Sequence, residues 1–234
     1  MADPDQAPID DLTRLRREPQ QADHDWATIR RILSETYLCH IGFADETGQG
    51  FSIPTIHAVI GDDLIVHGSA ASRTLRTLGA GAKICVTVAE TDGFVLARSV
   101  LNHSINYRSV MVFGVATLIE EGPQKEATTH EFFEAVFPGR WDEARRPTAN
   151  ELRRMALLRL PLERASAKIS SGPPEDEDDD LDLDAWAGVI PVHHVLGEPQ
   201  PDPALAPGIA EPPSLRRIRE RWNPQSGRIV TDDG

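Results

Sequence analysis

Apolar positions change period several times along the chain. Between Asp25 and Ser34, Trp26, Ile29, Ile32 and Leu33 recur at helical spacing, with Asp23 or Asp25 placed to cap the helix. From Tyr37 the pattern becomes short apolar runs, residues 37–43, 51–60 and 64–67. Turn-forming segments, Asp45-Glu46-Thr47-Gly48-Gln49-Gly50 and Gly61-Asp62-Asp63, separate them. Three strands joined by tight turns predict an antiparallel meander. Residues 68–80 interrupt it with a short helix, for which Ser69 and Ser72 are caps, Leu75 and Leu78 share one side, and Gly79 or Gly81 marks the end.

A hairpin is expected next, with strands 83–89 and 94–99 around Thr91-Asp92-Gly93. A long β-rich run, 107–119, follows a polar stretch at 102–106. Two helices are predicted near 124–136 and 149–157. The second starts at Thr148 with Glu151 three residues on, the spacing of a capping box. Residues 158–169 return to strand, where Pro161 argues for an edge or a bulge, and 185–192 form a last strand. Residues 214–222 make a short basic helical stretch in a proline-rich region. Six or more strands with one helix after the third predict a mainly β fold, a closed or half-closed antiparallel barrel with peripheral helices. Periodicity alone does not separate that barrel from a sandwich. The expected organisation is a polar N-terminal arm (1–22), one domain (23–195) and a proline-rich tail (196–234).

At 234 residues and 40% hydrophobic content the chain can bury a substantial core. No apolar run approaches a membrane span, and the first twenty residues lack a secretory apolar stretch, so a cytoplasmic protein with no membrane association is expected. The formal net charge is −13. Eight of the acids lie between Glu175 and Asp184, and without them the remainder carries about −5, an ordinary surface. Nothing resembles a basic stripe, which disfavours nucleic acid as a partner. The acidic run reads as a solvated loop. Cys39 and Cys85 sit in apolar runs and read as core thiols; neither has neighbours for a zinc site. His193 and His194 read as surface residues.

Three stretches carry candidate chemistry. In His67-Gly68-Ser69-Ala70-Ala71-Ser72-Arg73-Thr74-Leu75-Arg76 a strand gives way to small residues and a helix start bearing two hydroxyls and two arginines, a setting that suits a phosphate. Tyr107, Arg108 and Ser109 are polar groups opening an apolar strand, where a barrel meets the polar edge of a ligand. Ile53-Pro54-Thr55 contains a proline that belongs at an edge or bulge and leaves backbone free beside it. There is no Ser-His-Asp arrangement to support hydrolysis and no glycine-rich dinucleotide fingerprint.

In order, these blocks and their neighbours (SIPTIHAV, GDDLIVHGSAASRTLRTL, AKICVTV, NHSINYRSVMVFGVA, ASAKISSGPP, WAGVIP) resemble the split-barrel flavoproteins related to pyridoxamine 5′-phosphate oxidase, near the nitroimidazole-resistance branch. The resemblance spans roughly residues 13–195. It implies an FMN-binding split β-barrel and a homodimer with FMN at the subunit interface. It places the phosphate block on Ser69, Ser72 and Arg73 with Arg76 nearby, the ring-bordering strand on Ile53, Pro54 and Thr55, and a later block on Tyr107, Arg108 and Ser109. His67 falls where a strand histidine of the resistance proteins has been implicated, although it also reads as a residue lining the barrel. Trp186 is a candidate to stack on the flavin or on a substrate of the neighbouring subunit, although a tryptophan in a strand usually belongs to a core. The expected activity is a flavin-dependent oxidoreductase acting on a small organic molecule. Pyridoxamine phosphate itself is disfavoured, because Arg216, Arg217 and Arg219 lack an accompanying histidine. A non-catalytic flavin sensor, or a barrel holding haem or a deazaflavin, are the alternatives; His57, His67 and His103 are the axial candidates for haem.

Overall fold

A computed structural model describes residues 3–223, except for the side chain of Arg73. Among the described residues ten strands and six α-helices follow one another. β1 (Ala22–Asp23) precedes α1 (Trp26–Ser34), and β2 (Leu38–Ala44), β3 (Gly50–Ile60) and β4 (Asp63–Ser69) form the meander. α2 (Arg73–Gly79) leads into β5 (Lys83–Leu96), β6 (Ser104–Val115) and β7 (Thr117–Leu118). Three helices, α3 (Pro123–Val136), α4 (Arg140–Glu143) and α5 (Ala149–Arg154), come before β8 (Met155–Pro161), β9 (Ala165–Ser170) and β10 (Gly188–Pro191). α6 (Pro213–Trp222) ends the described chain. The strands pair antiparallel in the order β1-β9-β6-β5-β2-β3-β4-β8-β7, with β10 on β5.

The sheet curls around one core. Cys39 and Ile41 of β2, Leu64 and Val66 of β4, Val86 and Val88 of β5, Val110 and Val112 of β6, and Leu158 and Leu160 of β8 all bury into it. Ile29, Ile32 and Leu33 of α1 close one side, and Leu75 and Leu78 of α2 close another. Each such side chain contributes about 1.5–3 kcal/mol by leaving water. Gly68 permits the close approach of α2: a Cβ there would lie 2.7 Å from the Leu75 side chain. A mainly β split barrel with peripheral helices is therefore the fold.

A second, smaller core lies outside the barrel. α3 lays Phe132 and Val136 over Ala58 of β3, Ile65 of β4 and Leu157 of β8. The C-terminal arm is stitched to this layer. The Trp222 indole N–H donates to the Val136 carbonyl at 2.8 Å, and its ring stands edge-on to Tyr37 at 4.9 Å. The Asn223 side chain exchanges two hydrogen bonds with the Leu196 backbone.

Several sequence expectations need correction. The hairpin at 83–99 is one fourteen-residue strand. Its Thr91-Asp92-Gly93 segment is a bulge, where the register against β6 shifts. A bulge and a turn use the same residue types; here Gly93 is small because β10 crosses it, and a Cβ would meet Val189 at 2.9 Å. The strand expected at 158–169 is two strands, and Pro161 closes the first opposite Asp63. The helix from Thr148 has its capping box but stops at Arg154, because the apolar residues beyond it belong to β8. α4 was not foreseen. Glu134 builds the turn before it, accepting from the Gly139 and Trp141 backbone N–H groups. Residues 224–234 of the expected tail lie outside the described residues.

Candidate functional site

The split in the barrel lies between β3 and β4. Among the described residues β3 pairs with β4 only from His57 to Ile60, while its first half, residues 50–56, pairs with β2 on one side and with no strand on the other. β4 meanwhile runs on to Ser69, paired with β8. Ile53, Pro54 and Thr55 thus form a bare edge facing the β4–α2 corner. Pro54 is exposed and sits on that edge as its missing N–H requires. Ile53 and Thr55 point inward, opposite Ile41 and Cys39 of β2. Thr55 bridges the split, its hydroxyl donating to the His67 carbonyl at 3.4 Å.

The corner itself is shaped by serines. Ser69 is exposed, and its hydroxyl oxygen accepts from the Ala71 N–H at 3.2 Å. Ser72 caps α2 by accepting from the Leu75 N–H at 3.5 Å. Arg76 is exposed on α2. Arg73 opens α2, and its side chain lies outside the described residues. Ile53 and Thr55 on the β3 edge and Ser69 and Ser72 at the corner therefore border the split from its two sides.

His67 is not a lining residue of the barrel. Strand alternation puts Leu64, Val66 and Gly68 inside and His67 outside, beneath α3. Its ring lies 4.9 Å from Phe132 and 5.8 Å from Phe133. Nδ1 is buried without a partner, and burial pulls the imidazole below its ordinary pKa. His57, by contrast, is buried and bonded to the Leu33 carbonyl through Nε2 at 3.0 Å.

The β6 residues lie elsewhere on this chain. β5 and β2 separate β6 from β3, roughly 14 Å at normal strand spacing. Tyr107 and Ser109 share the outer sheet face, while Arg108 points the other way. Its guanidinium is ion-paired with Asp92 and lies 3.2 Å from Glu35. That charge ties β6 to the β5 bulge and to the end of α1, a structural role the sequence did not reveal. Trp186 is neither in a strand nor in a core: it precedes β10 and is 68% exposed. The acidic run is anchored at its start. The Asp176 side chain is fully buried and accepts from the Arg98 and Ser99 N–H groups and the Arg98 guanidinium. Burial would raise the Asp176 carboxyl, but those donors outweigh it and hold the pKa below its usual value.

One cavity that sequence reasoning missed lies beside this corner. It is a slot of about 320 Å³ between α3, α4, α5 and the start of β8, walled by Phe133, Phe137, Trp141, Leu152 and Met155, with Arg140 and Arg145 completing it. The Trp141 indole N–H is buried without a partner. Arg145 is held bidentately by Glu151; that guanidinium, then the Thr148 cap, keeps Glu151 down at about 2. Met155 pairs with Ser69 across β4 and β8, so the slot adjoins the corner. The aromatic spacing of Phe133, Phe137 and Trp141 was the available sequence signal.

Among the described residues no helix is long and apolar enough to cross a membrane. No functionally curated protein matches the chain. Among solved structures it is similar to the flavocytochrome Anf3 from Azotobacter vinelandii, at 36% identity and a TM-score of 0.85, covering 90% of this chain and 97% of that one. It is also similar to an FAD and haem binding protein from Mycobacterium smegmatis, at 32% identity and a TM-score of 0.82, covering 85% and 97%. A protein assigned to 5-nitroimidazole antibiotic resistance in Bacteroides thetaiotaomicron shares the fold at 18% identity and a TM-score of 0.54, covering 63% and 86%. Residues 25–169, most of the barrel, match the family model described as pyridoxamine 5′-phosphate oxidase, and with the curled sheet, the split beside β3 and two relatives above 30% identity, the chain belongs to that family.

Proposed function

We propose that the protein is a flavin-dependent oxidoreductase whose flavin phosphate docks at the β4–α2 corner. The observation that carries this reading is the bare edge of β3 facing Ser69 and Ser72. A strand edge without a partner presents backbone groups to a flat heterocycle, and small residues at a helix start admit a phosphate to the backbone. The residues present fit: two hydroxyls, Arg73 at the first helical position, and Thr55 across the split. Flavin supplies the redox chemistry, and the protein supplies binding and orientation. Ser69, Ser72 and Arg73 hold the charged end, while the β3 edge and Thr55 fix the ring.

The sequence points to FMN, whereas the 32% identical relative is named for FAD. Riboflavin 5′-phosphate is common to both, and it is the part this corner would hold. A second copy of the chain completes the site, because Tyr107 and Ser109 on β6 lie four strands along the sheet from β4 on their own chain. The same outer face leaves Leu38, Ile105, Met111 and Val115 substantially exposed, which suits a homodimer. A cytoplasmic setting agrees with free thiols at Cys39 and Cys85.

The test is flavin titration by fluorescence, with the released ligand identified by mass. Arg73→Ala is expected to weaken binding about tenfold or more, losing a charge-assisted contact, while Arg217→Ala leaves it unchanged. Equal affinities for the two variants would refute the corner. Bound flavin that is reduced by a nicotinamide nucleotide and turns over with an acceptor separates an enzyme from a sensor.

A second reading is favoured by the slot. Both relatives above 30% identity are named for haem as well as flavin, as a flavocytochrome and as an FAD and haem binding protein. The slot is apolar, aromatic-walled and within the size range of cofactor sites. Its aromatic walls suit a flat macrocycle, although His57, His67 and His103 are not among them, and with the two relatives' names this supports haem as a second cofactor. A Soret band in the purified or haem-supplemented protein tests it.

A further inference from the structure

Helix α6 is tied to the rest of the protein mainly through polar contacts. Ser214 is its one fully buried residue. The Ser214 N–H donates to Glu143 of α4 at 3.0 Å, the Arg221 guanidinium to the Ser34 carbonyl at 2.6 Å, and the Trp222 indole to the Val136 carbonyl at 2.8 Å. Residues 192–212, which lead into α6, contain no strand or helix. An element held by a few hydrogen bonds at the end of an irregular lead opens at lower free energy than a central sheet.

Beside the last turn of α6 lies a cavity of about 30 Å³, the room of one water molecule, with His57, Thr36, Arg221 and Trp222 in its wall. His57 is 1% exposed. Its Nε2 lies 3.0 Å from the Leu33 carbonyl, which only accepts, so in the neutral ring the proton sits on Nε2 and Nδ1 keeps a bare lone pair. Nδ1 is buried and has no hydrogen-bond partner among the described residues. A second proton on this ring would land on that atom.

The ionisable groups around His57 are few. Arg221, from α6, shares the cavity wall, and the parts of the wall that come from α1, β3 and α3 add no other ionisable side chain. Glu35, at the end of α1, acts on Arg221 and favours its charged form. β4 sets Val66 opposite His57 and turns His67 to the other face of the sheet. Tyr37, whose carbonyl accepts from the His57 backbone N–H at 3.0 Å, adds a phenol edge-on to Trp222.

We propose that α6 is a strap released by acid, with proton uptake by His57 as the trigger. The inference rests on neither the flavin corner nor the haem reading. An imidazolium at this position has an unsatisfied N–H and shares a small cavity with a guanidinium. Like charges out of water repel strongly, because little solvent screens them. Lifting α6 takes Arg221 away and admits water to Nδ1, which relieves both strains. Burial lowers the His57 pKa, partly opposed by the Leu33 bond, so the lifted state binds the proton first. The strap is therefore closed above pH 6.5 and loosens as pH falls below it.

Hydrogen exchange of the full-length protein, read by mass spectrometry between pH 7.5 and 5.0 and corrected for the intrinsic pH dependence of exchange, measures the opening of each element. In wild type the opening equilibrium of α6 should rise by up to about tenfold per pH unit below 6.5, the limit for one proton, while β4 and β8 keep their protection. His57→Gln, whose amide can still donate to the Leu33 carbonyl but does not titrate, should make α6 opening independent of pH. His67→Gln should leave the response intact. If His57→Gln does not fold, a nuclear magnetic resonance titration of the wild-type imidazoles takes its place, and the His57 transition must coincide with α6 opening. Protection of α6 that stays constant with pH in wild type would overturn the proposal. So would a loss in step with β4 and β8, which is unfolding of the whole barrel, or a response that survives in His57→Gln.

Discussion

Phe132 is the most informative residue to remove. It is fully buried at the centre of the second core and touches both His67 and Phe133. Truncation to alanine in such a site costs about 3–5 kcal/mol from lost transfer energy and the cavity left behind. Against a total stability of about 5–15 kcal/mol, that is a third or more in most cases. With a urea dependence near 3 kcal/mol per molar, the unfolding midpoint should fall by about 1 to 1.7 M. Phe133→Ala, at a half-buried wall position, should cost less than Phe132→Ala but impair haem uptake more than its stability change alone explains. Urea melts of the two variants followed by circular dichroism, with flavin affinity measured in native buffer, give the comparison. The barrel interior is a separate cluster of side chains, so flavin affinity of folded Phe132→Ala should be retained. A midpoint shift below about 0.3 M would mean that α3 is not packed on the barrel as described, and the slot would go with it.

The buried imidazoles make stability depend on pH. Burial lowers the pKa of His57, partly opposed by its bond to the Leu33 carbonyl, and burial alone lowers that of His67. A group whose folded pKa lies below its ordinary 6.5 binds its proton first in the unfolded chain. Stability is therefore full above pH 6.5 and is lost as pH falls below it, at most about 1.4 kcal/mol per unit per histidine. Melting temperatures between pH 7.5 and 5.5 should fall, and His57→Gln should flatten the slope; an unchanged slope contradicts the burial of His57. Burial pushes the Cys39 thiol up to about 12, so Ellman's reagent should leave it unmodified until the protein unfolds. Rapid native labelling of Cys39, read by peptide mapping, would be inconsistent with its zero exposure. Asp176→Asn should free the acidic segment, giving faster native cleavage by a Glu-specific protease after Glu175 and Glu177; unchanged cleavage rates would show that the Arg98 contact does not hold it.

What the sequence revealed about the fold was mostly local. The Asp25 and Ser72 caps, the Thr148–Glu151 box and the Gly61 turn act within a few residues and stand where spacing put them. Longer-range decisions were hidden. Thr91-Asp92-Gly93 reads as a turn until β10 is known to cross it. Leu157 and Leu158 fit a helix as well as a strand until β4 pairs with them. Ile53, Pro54, Thr55, Ser69 and Ser72, singled out from the sequence, adjoin the split on neighbouring strands. The face occupied by His67 was not, because α3, more than fifty residues later, decides what its outer side meets. The ion pairs of Arg108 were hidden for the same reason, its partners coming from the end of α1 and from β5. The slot is built by an α4 turn that no periodic pattern announced.

The unpaired run of β3 has a cost independent of any ligand. Seven residues of exposed ladder are an invitation to another chain, which can extend the sheet and start an aggregate. Pro54, midway along that run, withholds one donor and breaks the continuity such an addition needs. Replacing it with valine would leave the barrel able to form, yet would turn the bare edge of β3 into a template for fibres. The same proline that keeps this edge free of a partner strand thus also keeps the protein from polymerising through it.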